Sequence, residues 1–157
     1  MLHSTARDLR TLLAEQRVAS IAVLAGGLPC VGLLPFAVPP DHAGLLVHAS
    51  RLARHSQGLG AGARVSVLVH ESDAPGKDAL QLRRATFECV VHPLERASPA
   101  WEAAREIYLR RFPDAQITFS LADFTLHRLE FTQGLYVAGF GKAIALPPGD
   151  LARLANG

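Results

Sequence analysis

Two arginines, a serine and a histidine lie close together where a predicted strand passes into a predicted helix. In the stretch LLVHASRLARHS, residues 45–56, Arg51, Arg54 and His55 have the i, i+3, i+4 spacing that places side chains on one helical face. Positive charge near a helix N-terminus opposes the helix dipole and costs about 0.3–1 kcal/mol for each cation. A bound anion would remove that cost, so these residues and Ser50 are candidate ligands of a phosphate group. The alternative is an exposed basic helix whose arginines pair with surface carboxylates.

The other residues that could do chemistry show no catalytic or metal-binding spacing. The seven histidines form no His-x-His or HExxH pattern, so no protein-ligated metal is expected. No serine lies in a G-x-S-x-G turn and the acidic residues do not cluster, so no catalytic residue is identified. Cys30 lies in an apolar segment and is expected to be buried and unreactive. Any reaction would therefore depend on a cofactor.

The composition indicates one domain over residues 1–157 that associates with another subunit. Apolar residues make up 49% of the chain and charged residues 19%, and a subunit interface would bury the apolar surplus. The net charge of +2, without runs of like charge, argues against nucleic-acid binding. Gly26, Gly27 and two prolines interrupt the uncharged segment 18–40, which argues against a membrane helix. The two cysteines form no disulfide or zinc pattern, so we expect a cytoplasmic location.

Strands and helices in an irregular order must position these residues. Gly26-Gly27 between two apolar runs predicts a β-hairpin, and both of its strands nearly lack polar residues, so we expect both of their faces to be covered. A one-residue slip in the apolar alternation at His127-Arg128 predicts a β-bulge. The predicted helices span residues 5–16, 51–59 and 99–112, and the predicted strands span 18–25, 30–38, 44–49, 64–70, 80–92, 124–131, 135–138 and 142–146. This order predicts an α+β fold with a small closed or partly closed barrel.

Four stretches within residues 5–146 carry a family resemblance. They are, in order, GLPCVGLLPFAV, LLVHASRLARHSQGLGAGARVSVLV, KDALQLRRATFECVVHPL and FSLADFTLHRLEFTQGLYVAGFGKA. Together they resemble the FMN-binding split-barrel superfamily related to pyridoxamine 5′-phosphate oxidase, in the branch that contains haem-utilisation and haem-degrading proteins. The resemblance implies an α+β fold, a six-stranded antiparallel split β-barrel with flanking helices. It also implies a homodimer with one FMN per subunit in the groove between the subunits.

The resemblance further implies which residues would hold FMN. Residues of the second strand would lie beside the flavin ring: Pro29, Cys30, Val31, Gly32 and Leu33. The residues that would hold the phosphate are Ser50, Arg51, Arg54, His55 and Ser56. Arg84 or Lys142 would place positive charge near N1 and the C2 carbonyl, where it would stabilise the anionic reduced flavin.

The chain departs from the family pattern at several positions. Many relatives have Ser or Thr where Gly32 stands, and Lys where His55 stands. The chain closes with GDLARLANG in place of the arginine-bearing substrate motif of the oxidase, so pyridoxamine phosphate oxidation is not expected. Haem-degrading relatives carry a further C-terminal portion and a histidine ligand.

The sequence therefore predicts an FMN-binding flavoprotein that acts as an oxidoreductase on an unknown substrate. One alternative is a haem-binding or haem-degrading protein. Another is a non-catalytic module that binds flavin or haem, and a third is an interaction scaffold without a cofactor. The absorption spectrum of the purified protein would distinguish these alternatives, because flavin and haem have different bands.

Overall fold

The computed structural model of the protein describes residues 3–155 and has an α+β architecture. The strands are β1 (Val18–Ala25), β2 (Leu28–Ala37), β3 (Gly44–Ser50), β4 (Arg64–His70), β5 (Arg84–Pro93), β6 (Phe124–Val137) and β7 (Ala143–Leu146). The α-helices are α1 (His3–Glu15), α2 (Pro99–Arg111), α3 (Gln116–Phe119) and α4 (Pro148–Ala155). Short 3-10 helices span Arg54–Gly58, Ala79–Gln81 and Pro113–Ala115.

Six of the strands close into an antiparallel barrel. Neighbouring strands follow the order β3-β2-β1-β4-β5-β6. β3 also pairs with β6, from Gly44–Glu130 to Ser50–Phe124, and this pairing completes the ring. β7 extends the sheet beyond β6 and lies outside the ring. The predicted six-stranded split barrel with flanking helices is confirmed.

The hairpin of β1 and β2 forms where the sequence predicts it. Gly26 and Gly27 have φ angles of +61° and +78°, which both central residues of a two-residue type I′ turn require. Ala25 pairs with Leu28 directly across this turn, and the register continues to Val18–Pro35. The turn therefore sets which side chains of both strands face the barrel interior.

Two apolar cores hold the barrel and its helices together. The larger core fills the barrel, where Ile21, Val67 and Phe87 are fully buried. Leucines of α1 and α4 join this core: Leu9, Leu12, Leu13, Leu151 and Leu154. The smaller core lies on the outer face of β3 and β6, which α2 covers; it contains Ala37, Leu46, Trp101, Ala104, Tyr108, Phe119 and Leu126.

The β-bulge lies elsewhere than the sequence predicts. The β3–β6 pairing is regular through His127 and Arg128. Leu126 and Leu129 belong to different cores, so the slip in apolar alternation reflects burial of both faces of β6. The register shift between β5 and β6 instead lies at Glu88–Cys89, opposite Thr132. It lets the C-terminal part of β6 point Tyr136 into the barrel core.

The predicted helix over residues 51–59 is wrong in its first part. Residues 51–53 form a turn, and a 3-10 helix of five residues follows from Arg54 to Gly58. Its N-cap, Ala53, offers no side-chain hydrogen bond. The helix-dipole argument therefore does not apply here, because so short a segment has too few aligned peptide units.

One face of the β1–β2 hairpin is exposed, although we expected both faces to be covered. The large apolar side chains on this face and its turn are 47–70% exposed: Val18, Leu24, Leu28, Val31 and Leu33. The opposite face, with Ile21, Val23 and Leu34, packs into the barrel. The sequence pattern does not distinguish a face buried by its own chain from one left for a partner, since both require apolar residues.

Two other element boundaries differ from the predicted ones. The strand predicted over residues 80–92 begins at Arg84, because Asp78 caps a 3-10 helix at Ala79–Gln81. α1 begins at His3, two residues before the predicted start, and Thr5 is a buried helical residue. Among residues 3–155, no helix has the length and apolar content needed to cross a bilayer.

Candidate functional site

The barrel opens between β2 and β3. These strands pair at two positions, Phe36–Val47 and Ala37–Leu46, and then separate. A cavity of about 490 Å³ lies beside this opening. Its lining comes mainly from both strands, the Arg54–Gly58 segment, α2 and the residues after α2. The lining residues are Arg17, Leu34, Pro35, His48, Ser50, Ala53, His55, Tyr108, Phe112, Pro113, Asp114, Ala115, Thr118 and Phe124. This volume is typical of a site for a cofactor-sized molecule.

His48 is a buried histidine in the wall of the cavity. Its ring stacks on Phe119 with 3.9 Å between the ring centroids and 12° between the planes. Tyr108 and Phe124 contact the same imidazole, with centroid distances of 5.9 and 5.0 Å. This aromatic cage fixes the imidazole at the cavity wall.

The hydrogen bonds of Thr118 define the tautomer of His48. The Thr118 hydroxyl donates to the carbonyl oxygen of Ala115 at 2.8 Å, so its proton is already used. The contact of 3.2 Å between the Thr118 hydroxyl oxygen and Nδ1 of His48 therefore requires Nδ1 to be the donor. In the neutral ring Nε2 then carries the lone pair.

Both buried histidines of this region remain neutral at physiological pH. Burial lowers the pKa of His48 to about 4, and the charges of His127 and Arg96 lower it further. Burial also lowers the pKa of His127 to about 4, against a smaller opposing effect of a backbone hydrogen bond at Thr125. The cavity therefore offers a neutral imidazole nitrogen instead of an imidazolium.

Three of the five predicted phosphate ligands bond to the protein itself. The Ser50 hydroxyl donates to the Asp123 carboxylate at 2.7 Å, and the Ser56 hydroxyl donates to the Ser50 carbonyl at 2.6 Å. The Arg51 guanidinium donates to the Ala122 carbonyl at 3.0 Å. The structure therefore brings Ser50, Arg51 and Ser56 together, but their hydrogen bonds stabilise the turn after β3.

Arg54 and His55 have fewer internal partners. Arg54 is exposed, while His55 lines the cavity and its Nε2 is buried without a hydrogen-bond partner among residues 3–155. The imidazole lies directly against Gly32, where a Cβ atom would be 2.5 Å from Nδ1 of His55. The two departures from the family pattern therefore compensate each other, because the His55 ring fills the space that a Gly32 side chain would need.

The residues predicted beside the flavin ring divide between the two faces of β2. Pro29, Val31 and Leu33 point outward and are exposed, whereas Cys30 and Gly32 point inward. Arg84 and Lys142 lie near the far end of β6, since Arg84 pairs with Val137 and Lys142 belongs to the turn between β6 and β7. A strand of 14 residues spans on the order of 40 Å. Within one chain, Arg84 and Lys142 are therefore remote from the cavity.

Sequence reasoning missed the aromatic and imidazole residues of the site. His48 lies two residues before Ser50 on the same strand face, so strand periodicity predicts that it shares any site containing Ser50. Tyr108 and Thr118 are contributed by α2 and α3, whose packing against β3 leaves no short-range signal. Among residues 3–155, no three His, Cys, Asp or Glu side chains gather closely enough to hold a metal ion.

The chain has a well-matched relative among characterised proteins. The haem oxygenase HutZ from Vibrio cholerae is 32% identical over 146 residues, which cover 92% of this chain and 82% of HutZ. The chain belongs to the HutZ family. Its membership confirms the resemblance to the haem-utilisation branch of the split-barrel superfamily. No protein-family profile matches the chain.

Solved structures agree with this placement. Vibrio cholerae HutZ, described as a haem storage protein, superposes with a TM-score of 0.71 at 25% identity, over 89% of this chain and 93% of HutZ. A haem-binding protein from Mycobacterium smegmatis has a TM-score of 0.84 at 23% identity, and the chain spans 62% of its length. A Clostridium acetobutylicum protein of the pyridoxine phosphate oxidase family has a TM-score of 0.70 at 10% identity. The last two likenesses show the fold alone.

Proposed function

We propose that this protein binds haem in the cavity beside the opening between β2 and β3, and that it acts in haem utilisation. The HutZ relationship supports haem over the flavin oxidoreductase that the sequence resemblance first suggested. Free haem supplies an iron that needs an axial ligand, and bound haem can bind and activate dioxygen. Whether this chain degrades haem or stores it depends on residues around the iron, so binding is the first property to test.

The observation that carries the proposal is the orientation of His48. A haem iron takes a neutral imidazole nitrogen with a free lone pair as its proximal ligand. His48 meets this requirement, because its pKa is lowered to about 4 and Thr118 holds the proton on Nδ1. A hydrogen bond from the other ring nitrogen is also what fixes metal-ligating histidines in proteins. Thr118 acts here as a positioning residue.

The remaining lining fits an apolar macrocycle that carries acidic groups. Leu34, Pro35 and the rings of Tyr108, Phe112 and Phe124 give the cavity an apolar surface. Arg17 lines the same cavity, with its guanidinium 5.2 Å from the centre of the Phe112 ring. This arginine would pair with a propionate while the rings contact the porphyrin.

FMN stays a prediction as an alternative ligand. Its phosphate would depend mainly on Arg54 and His55, because Ser50, Arg51 and Ser56 already bond within the protein. The phosphate of FMN would also place a dianion beside Asp123, whose carboxylate accepts a hydrogen bond from the Ser50 hydroxyl. These contacts favour haem as the ligand, and the experiment described next compares haem with FMN.

The test is a titration of the purified protein with ferric haem, followed by the Soret band, and a parallel titration with FMN followed by flavin fluorescence. We expect one haem per chain and a loss of affinity of at least tenfold in His48→Ala. Thr118→Val should lose roughly 10–100-fold, the usual effect of removing a ligand-orienting hydrogen bond. Thr118→Ser keeps the hydroxyl and should restore binding.

His70→Ala is the matched control. His70 is exposed on β4, and within residues 3–155 its side chain hydrogen-bonds only to the neighbouring Glu71 carbonyl. Its haem affinity should equal that of the parent protein. Saturation by FMN with no haem binding would contradict the haem proposal and show that the protein binds flavin. Haem binding that is unchanged in His48→Ala would move the iron ligand to another residue.

We also infer that two copies associate through the exposed face of the β1–β2 hairpin. That face presents Val18, Leu24, Val31 and Leu33 to solvent in one chain. A contiguous apolar sheet face of this kind is typical of a subunit interface. The cytoplasmic location expected from the two free cysteines stays a prediction.

A further inference from the structure

A second cavity lies on the other side of α2 and shares no lining residue with the proposed haem site. It has a volume of about 400 Å³ and lies between α1, α2 and the segment after β2. Its lining residues are Arg10, Leu13, Ala14, Ala37, Val38, Pro39, Pro40, His42, Ile107, Arg110 and Arg111. Nothing in the proposed function uses these residues.

All charged side chains that line this cavity are positive. Three arginines from two helices line it, and the lining contains no aspartate or glutamate. Arg10 donates to the Leu154 carbonyl at 3.1 Å, and Arg111 donates to the carbonyls of Ala14 and Gln16. Carbonyl oxygens satisfy N–H groups but do not neutralise the charge, so both guanidinium groups lack a counter-ion in these contacts.

Arg110 has a carboxylate partner, but that pair is on the surface. Its guanidinium is 3.0 Å from Glu106, and the two side chains are 75% and 74% exposed. An exposed pair of this kind contributes less than about 1 kcal/mol and is easily exchanged for another anion. Arg110 is therefore free to turn toward a ligand in the cavity.

Arg111 gives an independent indication of a missing anion. Its Nε is buried and has no hydrogen-bond partner among residues 3–155. The guanidinium lies 5.6 Å from the Phe36 ring centre and 5.8 Å from that of Phe112, so two aromatic rings flank it. Burial, and after it the charge of Arg17, lowers the pKa of Arg111 below its usual range. A bound anion would stabilise this partly buried charge.

We infer that this cavity binds a small amphipathic carboxylate. Arg10, Arg110 and Arg111 would hold the carboxylate, because guanidinium groups bind carboxylates in a bidentate geometry. The apolar body would contact the aliphatic surface formed by Val38, Pro40 and Ile107. A free inorganic anion would leave that aliphatic surface uncovered, so the cavity is matched to a molecule with both parts.

Octanoate is a suitable probe, and octan-1-ol is its uncharged counterpart of the same chain length. In calorimetric titrations we expect octanoate to bind at least tenfold more tightly than octanol. Octanoate binding should also weaken as sodium chloride is raised from low to high concentration, because salt screens the guanidinium charges. Equal affinity for the two compounds, or octanoate binding that does not respond to salt, would overturn the proposal.

Variants locate the site. Arg10→Gln combined with Arg110→Gln should weaken octanoate at least tenfold, while haem binding remains as in the parent protein. Arg7→Gln is the control, since Arg7 is exposed on α1 outside the cavity. Circular dichroism spectra of all variants establish that they are folded. Unchanged octanoate affinity in the double variant would assign the binding to another surface, such as the exposed hairpin face, and would overturn the proposal.

Discussion

His48 and His127 are buried imidazoles on two strands that pair with each other. The β3–β6 register places His48 opposite Leu126 and His127 opposite Val47, so the histidines belong to adjacent rungs. Nδ1 of His127 is buried without a hydrogen-bond partner among residues 3–155. Burial is the main reason that both pKa values are lowered to about 4, and for His48 a charge on the adjacent His127 lowers the pKa further.

We predict that the free energy of unfolding falls as pH decreases from about 6.5 to about 4. In this interval the unfolded chain binds protons at both histidines and the folded chain does not, so acid favours unfolding. Above pH 6.5 neither state is protonated and the effect vanishes. The loss is at most about 3.5 kcal/mol for each histidine, since one pKa unit corresponds to about 1.4 kcal/mol.

Urea unfolding at a series of pH values measures this effect. His127→Gln removes one titrating group and should reduce the pH dependence between 6.5 and 4 by about half. The control His70→Gln changes an exposed histidine and should leave the dependence as it is. A pH dependence identical in the parent protein and in His127→Gln would show that His127 is not protonated on unfolding in this range.

At the scale of single residues, the sequence predicted part of the candidate site. Ser50 and His55 line the cavity and Gly32 lies against His55, while their role as ligands stays a prediction. The internal hydrogen bonds of Ser50 and Arg51 were not predictable, because their acceptors lie at positions 122 and 123. Local spacing indicates which side chains are near each other, but it does not indicate which of them are already satisfied.

The Arg54–Gly58 segment packs against β1 and forms one wall of the cavity. A Cβ atom on Gly58 would lie 2.6 Å from Cβ of Val23 and 2.8 Å from the Leu24 carbonyl oxygen. Real Cβ atoms do not approach so closely, and backbone atoms of a barrel strand move little. The segment therefore requires glycine at this point to reach the barrel surface.

We predict that Gly58→Ala destabilises the protein by about 1–3 kcal/mol, the usual cost of overpacking. Gly60→Ala is a matched control, because nothing lies within 4 Å of its Cβ position and its φ angle is not in the left-handed region. It should be neutral or slightly stabilising, as it reduces the freedom of the unfolded chain. Thermal unfolding of both variants measures the difference. Equal melting temperatures would contradict the close contact with Val23.

At the scale of elements, the sequence predicted the turns and helix starts that neighbouring residues determine. The Gly26-Gly27 turn and the start of α2 are confirmed; at the latter, Ser98 accepts a hydrogen bond from the Trp101 amide and Pro99 follows. The bulge was misplaced because α2 buries the outer face of β6. The helix over residues 51–59 was misjudged because Asp123 holds Ser50 and Arg51 in a turn. In both cases a distant segment overrides a local pattern.

For the whole molecule, the exposed hairpin face determines the expected assembly. Leu24, Leu28, Val31 and Leu33 are 62, 60, 70 and 65% exposed. Burying large apolar side chains of this kind contributes about 1.5–3 kcal/mol for each one. In an isolated chain these side chains would stay in contact with water and contribute no such stabilisation. This surface therefore fits best the subunit interface that the sequence predicts.

We predict that Val31→Glu combined with Leu33→Glu yields a monomer, whereas the parent protein sediments as a dimer. Charges facing a symmetric partner would repel one another in a buried contact. Leu52→Glu is the control, because Leu52 is 86% exposed but lies outside the hairpin face. Sedimentation velocity compares the three proteins. A dimer that persists in the double variant would place the interface on another surface.

Closure of the barrel also has a consequence for how the protein is made. Gly44 of β3 pairs with Glu130 of β6, 86 residues later. A ribosome adds about 5–20 residues per second, so Gly44 is synthesised about 4–17 s before Glu130. During that time the nascent strand is held by its two pairs with β2. Such an unpaired apolar edge is a natural client for chaperones.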